Sequence, residues 1–461
     1  MAVLGGGCTA LGAACLLLAA CSTTPRKPLV AAPAPEPVIA PVGAMPAPVD
    51  TQTPAAVEDT SSWTRLSRRF TFDDCGYSPD VARLAHWFSA DPTGFAESLR
   101  QSLPFLLYVA KHLEEREMPG EFALLPYIES NYVPIASSGD HAAGIWQLLP
   151  DTAREGGLHI GGDYDGRLDI AASTDAALTL LERYYDRFGD WRVADMAFNA
   201  GPYRIAKLLG NGAVPSGAAE LGRLRVDAHT HRHLAKLLAV ACIVSDPARF
   251  DVKLPEPATG DRLTAISLPA AVDLQLAARV AGLDPARLRQ LNPGYVRGRM
   301  PASGPFHLLL PEAQSRALSS ALEKLPQSLW GEWHEITLRQ TESLGVLAQA
   351  HDVDDAVLAT ANALVPETAL DAGMRVLVPG RDPIAPTAVA VSRQMPHDRD
   401  THIVRAGDSL WRIARAAHVA LPDLLQWNDL TRNANLHPGQ RLRLRAPERG
   451  GTASTVVASP N

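Results

Sequence analysis

The most constraining feature of the chain is a short apolar segment, EFALLPYIES at residues 121–130, in which Glu129 is the penultimate residue. A carboxyl group at the end of a hydrophobic helix can be partly desolvated, and desolvation favours its protonated form. The segment SSGDHAAG at 137–144 is built from small residues, so it can turn back over the carboxyl group and leave an open groove. GIWQLLP follows at 144–150, and AFNAGP lies further along at 197–202. The pattern predicts that Glu129 is a proton donor in a groove.

The stretches around these blocks are predicted to be helical. Apolar residues recur at helical spacing within 79–118, 169–188 and 229–245, and Pro119-Gly120 breaks the first of these stretches. Few alternating β-branched residues occur before Pro255. This part of the chain is therefore expected to be mostly α-helical.

Three blocks occur in order along the chain: Glu129-Ser130, then Ser138 with Ala142 to Gln147 and Pro150, then Asn199-Ala200-Gly201. Together they resemble the lytic transglycosylase domain of the lysozyme superfamily, in its membrane-bound lytic murein transglycosylase D type. The resemblance runs from about Trp87 to about Pro255. It implies cleavage of the β-1,4 bond between N-acetylmuramic acid and N-acetylglucosamine in peptidoglycan glycan strands, with formation of 1,6-anhydromuramic ends.

The resemblance also implies how the chemistry is done. Most glycosidases use two carboxylates, whereas this family uses one, which here is Glu129. It acts first as an acid and then as a base, with no cofactor and no metal. Substrate binding is assigned by the same resemblance to Ser138, Gly144, Gln147, Phe198 and Asn199.

Two positions depart from the family pattern. Phe198 stands where the family usually has Tyr before Asn-Ala-Gly, and His141 stands where it has the first Gly of a Ser-x-x-Gly run. The missing Tyr hydroxyl removes one potential hydrogen bond to the glutamate or the ligand. A catalytically inactive peptidoglycan-binding tether therefore stays open as an alternative, and so does a true hydrolase of the same fold.

Single residues of the blocks also have ordinary structural explanations. A lone Glu before Ser is usually a solvated helix-end residue, and Trp146 and Gln147 taken alone fit a core and a surface position. Asn199 either fixes the facing helix or binds sugar, and Tyr132 either packs in the core or stacks on sugar. The joint order of the blocks favours the catalytic interpretation.

A run of histidines, HTHRH, places His229, His231 and His233 at the start of the predicted helix 229–245. Residues two apart do not share a helix face, and no Cys or carboxylate completes a metal site at typical spacing. We expect a solvated helix start rather than a metal site.

The N-terminus is expected to be a targeting segment. Residues 1–20 contain a short apolar run typical of a signal peptide, and Leu18-Ala19-Ala20-Cys21 resembles a bacterial lipoprotein box. This predicts lipidation of Cys21 and a membrane partner through the lipid anchor; the alternative is an ordinary signal peptide cut before the same residue. Ser22 favours the outer membrane of a Gram-negative bacterium, facing the periplasm. No Lys or Arg precedes the apolar run, which departs from the usual pattern.

Charge and cysteine usage fit that location. The net charge of −7 argues against nucleic acid as a partner. No apolar run of 18 residues occurs past the N-terminus, so no spanning helix is expected in the mature chain. Cys75 and Cys242 either pair in an oxidising periplasm or remain buried free thiols.

The C-terminal part repeats one pattern of strand, two helices and strand. Residues 401–446 resemble a LysM module through VRAGDSLWRIA, LLQWNDL and LHPGQRLRL, and degenerate copies are expected at 333–379 and 259–312. The resemblance implies N-acetylglucosamine binding, without cleavage, at Gly407, Asp408, Ser409, Leu410, Asn435 and Pro438.

The chain is thus predicted to be an α+β multidomain protein: a mostly α lysozyme-like catalytic domain followed by small βααβ LysM-type modules. The expected order is a signal peptide at 1–20, a lipidated Pro/Ala-rich linker at 21–62, the catalytic domain at 63–258, the degenerate modules at 259–312 and 333–379, a linker at 380–400, the LysM module at 401–446 and a loose tail at 447–461.

Overall fold

The structure is a computed structural model that describes residues 61–72, 75–139, 141–210, 218–380, 400–405, 408–431, 434 and 436–446. Several predictions from the sequence lie outside these residues: the signal peptide, nearly all of the first linker with Cys21, most of the second linker, the tail, and the LysM positions Gly407 and Asn435.

The first part of the described chain is helical, as the apolar spacing predicts. Its α-helices are α1 Ser62–Ser67, α2 Pro79–Phe88, α3 Pro92–Glu115, α4 Leu125–Ser130, α5 Pro150–Glu155, α6 Ile170–Phe188, α7 Trp191–Ala200, α8 Pro202–Leu209, α9 Ala218–Leu221 and α10 Ala228–Ser245. Short 3-10 helices cover Gly120–Leu124 and Pro247–Phe250.

Capping residues explain where these helices begin. Asp91, Asp169, Asp190 and Asp227 precede α3, α6, α7 and α10, and each side chain accepts a hydrogen bond from a backbone amide in the first turn. Such caps satisfy amides that have no partner inside the helix. Gly189 ends α6 with a φ of 71°, a left-handed conformation that suits glycine.

Helix α10 lies at the centre of the helical core. Its residues from Leu234 to Val244 are almost all buried, and it packs against α2, α4, α7 and the 3-10 helix before α4. A disulfide joins Cys242 of α10 to Cys75, with the two Cα atoms 5.2 Å apart. Of the two possibilities that the sequence left open for these cysteines, the structure contains the disulfide.

Three βααβ units follow, in the order that the repeat pattern predicts. The elements are β1 Leu263–Ser267, α11 Leu274–Val280, α12 Pro285–Leu291 and β2 His307–Pro311; then β3 Trp333–Thr337, α14 Leu344–Ala350, α15 Asp355–Ala361 and β6 Arg375–Pro379; then β7 Thr401–Ile403, α16 Leu410–Ala416, α17 Leu421–Trp427 and β8 Arg441–Arg443. Helix α13 Glu312–Leu322 and a 3-10 turn, Gln327–Leu329, follow the first unit, and a small pair, β4 Glu342–Ser343 and β5 Ala369–Leu370, lies within the second.

In each unit the first and last strands pair antiparallel, and one asparagine closes the unit in the same way. Asn292 donates to the Leu309 carbonyl, and its side-chain oxygen accepts from the Leu309 amide, at 2.9 and 2.8 Å. Asn362 and Asn428 make the equivalent bonds to the last strands of their units. The shared contact shows that all three units are copies of one structural design, including the first, whose sequence is the most eroded.

The first unit packs closely against the helical part. Leu263, Leu291 and Leu309 belong to the same buried apolar cluster as the helices. His307 Nε2 lies 2.7 Å from Asp169 Oδ2 at the start of α6. Buried contacts thus cross the predicted boundary between residues 258 and 259.

The third unit also contacts the helical part, through α16 and α6. The Ser409 hydroxyl donates to Glu182 Oε2 at 2.9 Å, and the Trp411 ring lies edge-on to Trp191 with centroids 5.6 Å apart. Glu182 is fully buried, and burial raises the pKa of its carboxyl group. The last module therefore covers a surface of the helical domain.

Candidate active site

Glu129 lies at the end of α4, where the chain leaves the helix. Asn131 caps α4 with a φ of 51°, in the left-handed region, and its amide bonds the Tyr127 carbonyl at 2.9 Å. The side chain of Glu129 is 17% exposed, so the carboxyl group is partly desolvated as the sequence predicts. Its Oε1 lies at hydrogen-bond distance, 2.7 Å, from His233 Nε2.

His233 contradicts one expectation from the sequence. The HTHRH run does begin α10, and His229 is exposed, but His233 is buried with 7% of its side chain accessible. Its Nδ1 lies 3.2 Å from Asp195 Oδ2 of α7, a carboxylate that is fully buried. The prediction of a solvated helix start is therefore wrong at this position, because His233 occupies the inward face of α10.

His233 and Asp195 are site residues that the sequence analysis missed. A signal was present in both helices. His233 falls in register with Leu237 and Val240 on the buried face of α10, and Asp195 interrupts the apolar run Val193 to Ala197. Charged residues at such positions are seldom buried without a partner.

The loop after α4 is joined to the Glu129 helix by one side-chain bond and is braced by several bonds within itself. The Ser130 hydroxyl donates to the Ile145 carbonyl at 2.9 Å, and the Gly144 amide donates to the Ala136 carbonyl at 2.9 Å. Gln147 Nε2 donates to the Gly144 carbonyl at 2.9 Å and to Ala136 at 3.3 Å. In the structure the side chain of Gln147 thus braces this loop, and the bond from Ser130 joins the loop to the helix that carries Glu129.

Gly144 occupies a position that no other residue fits well. Its φ is 80°, and a Cβ built there would lie 1.8 Å from the Arg167 carbonyl oxygen. Glycine is therefore needed here for close packing against the segment at Arg167, and a substrate contact of Gly144 stays a prediction. His141 adopts a φ of 64°, which explains why glycine is the usual residue at its place in the family pattern.

The AFNAGP block faces α10 and the loop. Asn199 Oδ1 accepts from the Thr230 hydroxyl at 3.1 Å, so of its two expected roles the contact supports fixing the facing helix. The Phe198 ring is half-buried and lies edge-on to Trp146, with centroids 6.3 Å apart. Trp146 is fully buried and donates to Thr174, as a core residue does.

The remaining predicted groove residues divide between surface and core. Ser138 is exposed on the loop that precedes Gly144. Tyr132, for which the sequence left two possibilities, is 2% exposed and donates to the Ala123 carbonyl at 2.7 Å, which is a core position. Tyr127 is also buried, and its hydroxyl donates to Ser98.

The described LysM positions line a groove beside the helical domain. Asp408, Leu410 and Pro438 border a cavity of about 660 Å³, together with residues of α6 and α8 that include Arg183 and Tyr203. Ser409 also borders it, but the residue is 1% exposed and its hydroxyl contacts Glu182. A glycan contact of Ser409 stays a prediction.

Among the described residues, no group of three or more His, Cys, Asp or Glu side chains is arranged to hold a metal ion. Within the same ranges, every helix is too short or too polar to cross a membrane.

Three family models match successive parts of the chain. The model of the transglycosylase SLT domain matches residues 108–214, the lytic transglycosylase MltD LysM-like domain matches 262–327, and the LysM domain matches 402–445. The membrane-bound lytic murein transglycosylase D of Escherichia coli strain K12 is 30% identical over 354 residues, which cover 74% of this chain and 76% of that protein. This chain belongs to the membrane-bound lytic murein transglycosylase D family. The structure agrees with that membership, since an α-helical lysozyme-like domain is followed by three βααβ modules.

Two further similarities cover less of the chain. A protein of Alteromonas strain M-1, named as a putative tributyltin chloride resistance protein, is 42% identical over 109 residues, which are 23% of this chain and 53% of that protein. The crystal structure of the Bacillus cereus spore cortex-lytic enzyme SleL is 24% identical over 25% of this chain and 23% of its own, with a TM-score of 0.11, and it carries no argument about the transglycosylase site.

Proposed function

We propose that this chain is a peptidoglycan lytic transglycosylase that cleaves the β-1,4 bond between N-acetylmuramic acid and N-acetylglucosamine. The observation that carries the proposal is the position of Glu129 in a chain of this family. Its carboxyl group is partly buried at the end of α4, beside a loop that is hydrogen-bonded to the same helix. A positioned carboxyl group in partial contact with solvent is suited to general acid and base catalysis.

The proposed reaction uses Glu129 twice. Protonated Glu129 gives its proton to the glycosidic oxygen as the bond from that oxygen to C1 of the muramoyl residue breaks. The resulting carboxylate then takes the proton of the muramoyl 6-hydroxyl, whose oxygen closes on C1. Because the nucleophile belongs to the substrate, one carboxylate is sufficient and the product carries a 1,6-anhydro ring.

Other residues are proposed to bind and to shape the groove. Ser138 is exposed on the loop, and it is proposed to hydrogen-bond the sugar acetamido group. Gln147 and Asn199 support the walls through their bonds to Gly144 and Thr230. Phe198 offers an apolar surface beside Trp146 where the family usually has a hydroxyl.

The alternatives keep the same fold and differ in chemistry. The absent hydroxyl at Phe198 is the feature that suggests an inactive tether, whereas the intact Glu129 argues against it. A hydrolase would use a water molecule in place of the 6-hydroxyl. Mass spectrometry of digested sacculi separates the three: anhydro ends support the transglycosylase, reducing ends the hydrolase, and uncut strands the tether.

The variant Glu129→Gln tests the role of the carboxyl group. The amide keeps the shape of the side chain and an oxygen for His233, but it has no proton to donate, so anhydro-product release should fall by about 10²–10⁴-fold or more. Glu323→Gln, at an exposed position after α13, is the matched control and should retain activity. Substantial residual activity of Glu129→Gln would exclude the single-carboxylate mechanism.

The modules and the N-terminus are proposed to place the enzyme on its substrate. The LysM module would bind glycan strands through Asp408, Leu410 and Pro438, with Gly407 and Asn435 as further predicted contacts. Lipidation at Cys21 would hold the protein at the outer membrane, on its periplasmic side. Cys21→Ala should then release the chain into the soluble periplasmic fraction; an unlipidated, soluble wild-type chain would contradict the anchor.

A further inference from the structure

His233 lies between two carboxylates that come from different helices. Its Nε2 is 2.7 Å from Glu129 Oε1, and its Nδ1 is 3.2 Å from Asp195 Oδ2. The three side chains are 7%, 17% and 0% exposed for His233, Glu129 and Asp195 respectively. The arrangement is a chain of two hydrogen bonds that runs from the core to the proposed catalytic carboxyl group.

The protonation state of the ring follows from its partners. Asp195 accepts a hydrogen bond at Nδ1, and Glu129 Oε1 accepts one at Nε2 whether or not Oε2 carries a proton, so an imidazole bonded to both donates from both nitrogens, as an imidazolium does. Burial opposes that charge, but the charge and hydrogen bond of Asp195, followed by those of Glu129, outweigh it and raise the pKa of His233 to about 10.

The charged groups that act on the ring come from the helices packed against α10. They are Asp195 from α7 and Glu129 from α4. Near Asp195 lies Tyr77, and burial raises the pKa of this tyrosine to about 12, so its hydroxyl stays neutral. The carboxyl groups of Asp195 and Glu129 are thus the groups that stabilise the imidazolium.

We propose that His233, held by Asp195, is a positioning residue that fixes Glu129 for both steps of the reaction. The inference rests on the proposed function of Glu129. The imidazolium donates to Oε1 throughout, which leaves Oε2 as the atom that carries the catalytic proton.

His233 carries the same number of protons throughout the two reaction steps. In the first step the proton on Glu129 Oε2 moves to the glycosidic oxygen, and the carboxylate that forms is stabilised by the fixed donor at Oε1. In the second step Oε2 takes the proton of the muramoyl 6-hydroxyl as the bond between O6 and C1 forms. His233 keeps both its protons, so its charge aids the first step and orients the base in the second.

This role also accounts for a departure in the sequence. Phe198 lacks the hydroxyl that could bond the glutamate, and in this chain the bond to Glu129 comes from α10 instead. The loss of one polar contact at the groove is thereby offset by a charged donor from the opposite side.

The experiment compares pH profiles of the full chain and two variants. Kinetics of anhydro-product release from glycan fragments give kcat and KM between about pH 5 and pH 9.5 for wild type, Asp195→Asn and His233→Gln. Asp195→Asn removes the main charge that favours the imidazolium. The fall of kcat that accompanies loss of the imidazolium should therefore move from alkaline to near-neutral pH in this variant. Its kcat should fall at least about tenfold at pH 8.5 and only a few-fold at pH 5.5. The kcat of His233→Gln should be about 10²-fold lower with little change in KM, and its pH profile should lack the fall that loss of the imidazolium causes.

A matched control and a second readout separate this role from a structural one. His229→Gln makes the same substitution at an exposed position of α10 and should keep the wild-type profile. NMR of ring-labelled wild-type protein, with His233 assigned by its absence in His233→Gln, should show an imidazolium at pH 8.

The outcomes are distinct. A uniform loss of kcat in Asp195→Asn with an unshifted profile, or titration of His233 near pH 6.5, overturns the proposal. If the wild type releases no anhydro product at any pH, the proposed function fails, and the NMR titration still decides whether His233 is held as the donor to Glu129. If Asp195→Asn does not fold by circular dichroism, the wild-type titration decides alone.

Discussion

Replacing Asn292 by Ala removes the residue that closes the first βααβ module. Its side chain donates to the Leu288 and Leu309 carbonyls, both at 2.9 Å, and accepts from the Leu309 amide at 2.8 Å. Asn292 is 3% exposed and Leu309 is 1% exposed, so water does not reach these groups in the folded module. The Leu288 carbonyl keeps the Asn292 amide as a partner, but both polar groups of Leu309 are left without one.

The expected cost follows from that burial. A buried polar group that loses its partner costs about 1–3 kcal/mol, so two such groups cost about 2–6 kcal/mol. Asn428 makes the same contacts to Arg443 in the last module, at 2.9 and 2.6 Å, but at an exposed site. Water replaces the lost partners there, so Asn428→Ala should cost only about 0.5–1.5 kcal/mol for each bond.

Hydrogen exchange measured by mass spectrometry checks the difference within the intact chain, because it reports local opening free energies. Peptides that cover β2 should exchange at least about 25-fold faster in Asn292→Ala, since about 1.4 kcal/mol corresponds to a tenfold change. Peptides that cover β8 should change less in Asn428→Ala. Equal acceleration in the two variants would refute the argument that burial sets the cost.

Three further predictions concern stability and targeting. Cys242→Ser removes the bond to Cys75 across 167 residues and should lower the free energy of unfolding by about 2–4 kcal/mol; reduction of the wild type should cause a similar loss in thermal unfolding, and no change on reduction would contradict the disulfide. Deleting 400–461 should weaken binding to insoluble sacculi, because linked modules act through effective concentration. It should also lower the melting temperature by uncovering Trp191, while cleavage of short glycan fragments persists. Loss of that cleavage would show that the module is part of the catalytic unit. The pKa of His233 in the folded protein, about 10, lies above its unfolded value, so the stability that its charge adds is fully present below about pH 6.5 and is lost as pH rises through about 10. The difference in unfolding free energy between wild type and His233→Gln should therefore be larger at pH 6 than at pH 10. A constant difference would contradict the charged state.

Local patterns were sufficient for most of the architecture. Helical spacing of apolar residues predicts α2, α3, α6 and α10, because each helix buries one face and the spacing records that face. The βααβ modules were predictable for a similar reason, since their strands and helices are short and follow one another directly. The eroded copy at 262–311 forms the same unit because its asparagine contact survives at Asn292.

Local patterns also singled out Glu129 and the loop from Ser138 to Gln147, since these lie close together in the chain. They did not predict what the catalytic carboxyl group contacts. His233 is 104 residues away from Glu129, and Asp195 is 38 residues away from His233. Neither separation leaves a periodic mark in the sequence.

The last module likewise combines a fold that its own sequence predicts with contacts that only the tertiary structure shows. Its fold follows from residues 401–446 alone, whereas its contact with the helical domain joins Ser409 to Glu182 across 227 residues. The sequence predicts the module as a separate domain after a linker, and in the structure its Trp411 also belongs to the buried cluster of the helical domain. The sequence by itself determined those elements whose stability depends on residues that are close together in the chain. The contacts of His233, the disulfide and the packing of the last module against the helical domain were decided only by the tertiary structure, because they depend on which distant groups the fold brings together.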